Sequence, residues 1–337
     1  MSSLSLRRGA FVLAVAAATP LLAHDDDPKM LDRLPAVVGP GYRASAGGPI
    51  GPGGGTTNGA FAFDSEGVNL EAWLPLNQLD NAASGNDCWG YVSPSGREYA
   101  LMGTSSSTVF VEVTDPGNPT VVSIKSGPTS LWRDVKTYQN YAYSVSEGGN
   151  GIQVFDLTNI DSGTVAFVKN VTSGGTTATH NVAIDEVSGY LYRLGGDNNG
   201  ARIYDLANPA NPVYVGAWST RYIHDAQIVT HTSGAYAGKE IMYACSGFNG
   251  GWDQTGLTIV DVTNKGNPKV LSQSYYPGPG YSHQGWLSPD LQYFYLGDEL
   301  DENGNVPSTT HIFDVLDPAN PSYVGKFDNG NTAVTHN

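Results

Sequence analysis

The stretch ARIYDLANPANPVYVG, Ala201 to Gly216, reads as an apolar strand that ends on an acidic residue and passes through an Asn-Pro turn into a second strand. Four more copies stand along the chain: VFVEVTDPGNPTVV from Val109, IQVFDLTNIDSGTVAFV from Ile152, LTIVDVTNKGNPKVLS from Leu257 and THIFDVLDPANPSYVG from Thr310. With Glu112, Asp156, Asp205, Asp261 and Asp314 as equivalent positions, the steps are 44, 49, 56 and 53 residues. A self-similar period of this size marks an array of supersecondary units, each too small to bury a core alone.

Working outward from Asp205 gives the whole unit. His180 and Asn181 precede the strand VAIDEVSG; GYLYRLGG is the second strand, GARIYDLANPANP the third with its turn, and VYVGAWS the fourth. Other units open at Trp89, Val135, Ala226 and Gly285, with hairpin turns built from Pro, Gly, Asn and Asp where special φ values are required. Four short strands per period predict an all-β chain and a β-propeller of four-stranded blades. Two features concern its closure. VNLEAWLPLNQL, from Val68, reads as a fourth strand lacking its own first three, and His336-Asn337 reads as the start of a unit that does not continue. A six-bladed ring with a truncated last blade is the simplest expectation, with seven blades the alternative.

Residues 1–23 carry Arg7 and Arg8, then an apolar stretch and small residues, the pattern of a cleaved secretory signal. Residues 24–65 form a Gly, Pro and Asp-rich leader unable to bury much apolar surface, and 66–337 hold the repeats. The protein is therefore expected outside the cytoplasm, secreted or at the cell surface, with no transmembrane segment in this chain. A net charge of −15 argues against nucleic acid as a partner. Cys88 and Cys245 fall in non-adjacent units, so two buried free thiols are expected rather than a disulfide.

The blocks NDCWGYVSPSGREYALMG, LTIVDVTNKGNPKVLS and YSHQGWLSPDLQYFYLGDELDE, with the closing THN, resemble the choice-of-anchor B family of exported bacterial proteins, built from LVIVD repeats. The resemblance runs from Val68 to Asn337. It implies an exported propeller but no reaction, since the family has none assigned. Its variable C-terminal sorting tails have no match here, so it implies no anchor.

Each unit opens on a polar pair: Asn86-Asp87, Arg133-Asp134, His180-Asn181, His224-Asp225, His283-Gln284 and His336-Asn337. In a propeller the following strand lines the central channel, so these pairs form a ring on one face. One reading is an axial site for a divalent transition metal, with His180, His224, His283 and His336 as imidazole ligands and Asp134, Asp225 or Asp298 completing the set. The other is structural, each His and its neighbour bonding backbone and the acidic residue that ends the third strand. A repeated position is first a fold position, which favours the structural reading.

Asp298, Glu299, Asp301 and Glu302 form the densest acidic cluster, read either as a Ca2+ loop at 298–302 or as a solvated turn. GGDNNG from Gly195 and GGNG from Gly148 open no helix and read as hairpin turns. Trp89, Trp132, Trp218, Trp252 and Trp286 sit near strand ends and read mainly as packing between blades; Trp132, Trp252 and Trp286 have a carbohydrate or peptide surface as the alternative. G-x-S-x-G, H-E-x-x-H and C-x-x-C are absent. The leading functional expectation is a non-enzymatic exported scaffold that binds a protein or glycan partner, monomeric if the ring is complete. The alternative is a metalloenzyme using the His ring for oxidation or hydrolysis.

Overall fold

The computed structural model describes residues 38–39, 41–43, 68–197, 199–247, 254–300, 306–328 and 330. Residues 1–23, read as a signal, and most of 24–65, read as a leader, lie outside them. A two-stranded fragment comes first, β1 (Tyr42–Arg43) against β2 (Ala72–Trp73), followed by the short helix α1 (Leu76–Leu79). Five antiparallel four-stranded sheets follow, each a meander in chain order. Blade I is β3 (Gly85–Val92), β4 (Glu98–Thr104), β5 (Ser107–Glu112) and β6 (Thr120–Ser126). Blade II is β7 (Arg133–Tyr138), β8 (Tyr141–Ser146), β9 (Ile152–Asp156) and β10 (Ala166–Val171). Blade III is β11 (Asn181–Asp185), β12 (Tyr190–Leu194), β13 (Ala201–Asp205) and β14 (Val213–Trp218). Blade IV is β15 (Asp225–Thr230), β16 (Glu240–Ser246), β17 (Gly256–Asp261) and β18 (Lys269–Ser274). Blade V is β19 (Ser282–Leu287), β20 (Tyr293–Asp298), β21 (Thr309–Asp314) and β22 (Ser322–Asp328). The first strands stand side by side in chain order, β3 by β7, β7 by β11, β11 by β15 and β15 by β19, as the staves of a propeller axis do.

The acidic residue of the repeat owes its place to turn chemistry. Asp156, Asp205, Asp261 and Asp314 each accept through Oδ1 the backbone N–H two residues on, at 2.8, 2.7, 2.9 and 3.0 Å. Three residues further, Asp115, Asn208, Asn264 and Asp317 do the same within the Pro turn. Two successive Asx turns thus swing the third strand into the fourth. Glu112, one carbon longer, instead pairs with Arg97. In all five blades the pairing of third and fourth strands shifts register once near its middle, a bulge that steepens the twist at the outer edge.

The core is not one mass but a seam between each pair of neighbouring blades. Tyr99, Leu101 and Phe110 meet Val135, Ala142 and Phe155 between blades I and II. Val145, Ile152 and Val154 meet Val182, Leu191 and Tyr204 between II and III. Similar seams join III to IV and IV to V. This explains why the third strands of blades I to IV are buried at every position before the acidic residue, for both faces of a middle blade are covered.

VNLEAWLPLNQL is not a fourth strand. Pro75 ends the extended run, and α1 turns Leu74, Leu76 and Leu79 down onto Val109, Val111 and Val121, capping the outer face of blade I. The expectation of two buried thiols is also corrected: both cysteines are free, Cys245 is fully buried, but Cys88 is exposed. The reason is that β3 turns this face away from the blade I–II seam. Among the described residues no helix is long and apolar enough to cross a membrane.

Candidate functional site

Each blade presents its polar pair where the first strand begins. His180 and His224 sit one residue before β11 and β15, with their N–H groups bonded to Leu194 O at 3.1 Å and Cys245 O at 3.0 Å. His283 lies within β19 at a register shift between Ser282 and Gln284, a bulge that takes it out of the ladder. The three imidazoles come from three blades yet meet at the axis. The His180 and His224 ring centroids are 4.1 Å apart, and those of His224 and His283 are 3.9 Å apart.

Each ring is anchored through Nδ1. His180 Nδ1 is 2.7 Å from Glu147 Oε1, His224 Nδ1 is 3.0 Å from the His283 carbonyl oxygen, and His283 Nδ1 contacts Gln284 Oε1. A carboxylate, a carbonyl or an amide oxygen on one ring nitrogen is the arrangement that orients the other nitrogen, Nε2, toward a metal. On that side His283 Nε2 is 3.4 Å from Glu299 Oε2. His224, His283 and Glu299 each offer one ligand atom, all within 4.8 Å of one another, and all three residues are buried. Trp132 lies against His180 and Tyr281 edge-on to His224, walling the cluster.

The acidic residues that end the third strands do not touch these histidines, being taken up in their own turns. The structural reading survives in another form: polar side chains of one first strand accept N–H groups of the next. Asn86 Oδ1 accepts from Arg133 N–H at 2.9 Å, Asp134 Oδ2 from Val182 N–H at 2.8 Å and Gln227 Oε1 from Leu287 N–H at 2.7 Å.

Asp134 and Asp225 belong to this neighbouring layer rather than to the His cluster. Lys136 Nζ lies 2.6 Å from Asp134 and 3.4 Å from Asp87. Burial works to lower the Lys136 ammonium, yet the two carboxylates outweigh it and hold it above its ordinary value. Burial pushes Asp225 up to about 6, with Lys136 opposing. Asp298 is engaged as a loop anchor: Oδ1 accepts from Tyr281 N–H at 2.7 Å and Leu300 N–H at 3.1 Å, and Oδ2 from the Tyr276 hydroxyl and Gly280 N–H, both at 2.7 Å. Asp298 and Glu299 are buried, not a solvated turn. Asp301, Glu302, Trp252 and His336 lie outside the described residues.

Glu147 was not expected as a partner, and Glu299 was expected only in the acidic loop. A signal was there: YSVSE and YLGDE both place Glu directly after the second strand, where blades III and IV have Gly195 and Gly247. Gly195 takes φ +60°, and a Cβ there would stand 2.9 Å from His180 Cβ, so the turn expected at GGDNNG also makes room for the imidazole.

Fold and site together define a β-propeller with a buried axial cluster of histidines and carboxylates. A family model for the LVIVD repeat matches residues 251–276, the span of β17 and β18. No curated protein matches the chain in sequence. Among solved structures, the periplasmic gluconolactonase of Pseudomonas aeruginosa is similar at TM-score 0.52 and 10% identity, covering 71% of this chain and 69% of its own. A protein from Bacteroides uniformis described as a candidate 6-phosphogluconolactonase is similar at TM-score 0.54 and 16% identity, covering 77% and 76%. A functionally unknown protein from Desulfotomaculum acetoxidans is similar at TM-score 0.52 and 15% identity, covering 80% and 76%. At these identities the likeness shows the fold alone.

Proposed function

We propose that this chain is an exported metal-binding β-propeller of the choice-of-anchor B kind, with one divalent transition ion held at the axis by His224, His283 and Glu299 and flanked by His180 and Glu147. The observation that carries the reading is the convergence of three Nδ1-anchored imidazoles from three blades beside a buried carboxylate. Nitrogen and oxygen donors of this mixture suit zinc, copper, iron or manganese better than calcium, which prefers oxygen throughout. Bound there with one position open, such an ion would supply Lewis-acid polarisation for hydrolysis or, if redox-active, oxidation. The protein's share is to fix each ring through Nδ1 and keep the site dry.

Cobalt(II) titration of chelator-treated protein tests this reading. Visible d–d absorption that saturates near one equivalent, with a melting temperature that rises by mass action, supports it. Absence of both in the wild-type chain refutes it.

A partner-binding scaffold is the second reading, favoured by one observation. In β5, β9, β13 and β17 every residue before the acidic one is buried, whereas in β21 Thr310 and Ile312 are only half-buried and nearby Trp286 and Tyr295 are exposed. Among the described residues, blade V thus leaves partly exposed side chains at positions that the middle blades bury.

A further inference from the structure

The channel beyond the histidine layer holds a cavity of about 370 Å3, within the range that takes a small ligand. Residues of the first strands of all five blades line it. Trp89 of β3 and Trp286 of β19 face each other there, with ring centroids 6.5 Å apart and planes inclined by 54°. Tyr295, the cross-strand partner of Trp286, adds a third ring to the wall.

The charge of the walls selects among ligands. Asp87, Asp225 and Glu186 line the cavity against one ammonium, Lys136. The chain as a whole carries −15, so its field draws cations in and turns phosphates, nucleotides and sugar acids away. Lys136 is itself satisfied, since its Nζ rests between Asp134 and Asp87 and sits 4.7 Å from the Trp89 ring centroid. That contact also shows that this indole accepts an ammonium. Trp286 is 55% exposed and Tyr295 41% exposed.

We infer that the cavity is a binding site for a small organic cation, a methylated ammonium, seated between Trp89 and Trp286 with Tyr295 beside it and Asp87 and Asp225 supplying the countercharge. A cation placed off the line joining the two indole centroids falls within ~6 Å of both, the range in which ring faces attract it. Methylation suits the aromatic end of the site, where the faces of Trp89, Trp286 and Tyr295 meet the cation, and a methylated nitrogen loses little hydration on entry. The cavity adjoins the histidine layer through Gln284, whose Oε1 meets His283 Nδ1, but none of His224, His283 and Glu299 lines it, so cation binding does not require the metal.

The test uses the full exported chain with choline and tetramethylammonium as probes, followed by tryptophan fluorescence and calorimetry. The control is 3,3-dimethylbutanol, which has the shape of choline without its charge. Saturable binding of either cation, about tenfold or more weakened by Trp89→Ala or Trp286→Ala and kept by Trp286→Phe, supports the site. Circular dichroism of each variant checks its fold; Trp286 is exposed enough for its replacement to leave the blade intact. Equal affinity for the neutral analogue, saturation by a neutral sugar but by neither cation, or no binding at millimolar concentration overturns it.

Discussion

His224 Nδ1 lies 3.0 Å from the main-chain carbonyl oxygen of His283, so the imidazole of blade IV is fixed by the backbone of blade V. The ring's tautomer and orientation are therefore set by the closing of one blade on the next. Replacing either histidine with alanine is expected to abolish the rise in melting temperature on metal addition. In chelator the loss should be smaller for His283→Ala, whose carbonyl remains in place, than for His224→Ala, which leaves that carbonyl without its imidazole partner. Calorimetry with and without chelator separates the two contributions.

The Asx turns should be dispensable for the site and necessary for the blade. Asp205→Ala and Asp261→Ala each remove an acceptor for a backbone N–H, at a cost of about 1 kcal/mol. Denaturant unfolding should show that loss with metal binding unchanged. If metal binding falls as well, the turns and the axial site are not separate.

Lys136 is the charge on which the neighbouring layer depends. Lys136→Met leaves Asp134 buried without its cation and should destabilise by roughly 3–5 kcal/mol, as removal of one partner from a buried pair does. Adding Asp134→Asn should recover much of that loss. A double variant no more stable than the single one contradicts the pairing.

His311 gives the fold an acid-sensitive point. It is buried against Tyr276 and Tyr323, and burial pushes its imidazole down to about 4, with Asp298 opposing and Lys326 reinforcing. The folded chain binds this proton less readily than the unfolded one, whose histidine titrates near 6.5. The contribution of neutral His311 is thus whole above about pH 6.5 and lost progressively as pH falls toward 4. Unfolding measured across that window should have a shallower pH slope for His311→Phe than for wild type.

Cys88 and Cys245 should differ in accessibility. A thiol reagent should label Cys88 in the native protein, slowly because burial and Asp87 raise its thiol, and Cys245 only after unfolding. Peptide mapping of the labelled chain checks both.

The blades were legible because their signals are local. An Asx turn at Asp205 needs only the residues up to Ala207, and it repeats in frame wherever an aspartate ends a third strand. The convergence of His180, His224 and His283 followed from the same frame, since a repeated position at the start of the first strand must lie near the axis. What stayed hidden depends on contacts between blades. Glu147 reaches His180 across the seam between blades II and III, and no spacing within one unit reports that. VNLEAWLPLNQL misled because its alternation fits a strand, while Pro75 and the apolar surface of blade I decide for a helical turn. Asp298 looked like a ligand from its neighbours in sequence, yet four donors from the 276–281 loop and its own turn converge on its carboxylate.

Elemental analysis of the chain, purified without chelator and without an affinity metal, tests the metal centre most directly. About one transition-metal ion per chain is expected, lost in His224→Ala and His283→Ala and retained in Asp205→Ala. Metal-free wild-type protein that also fails to take up cobalt, with histidine variants that only melt earlier, would contradict it.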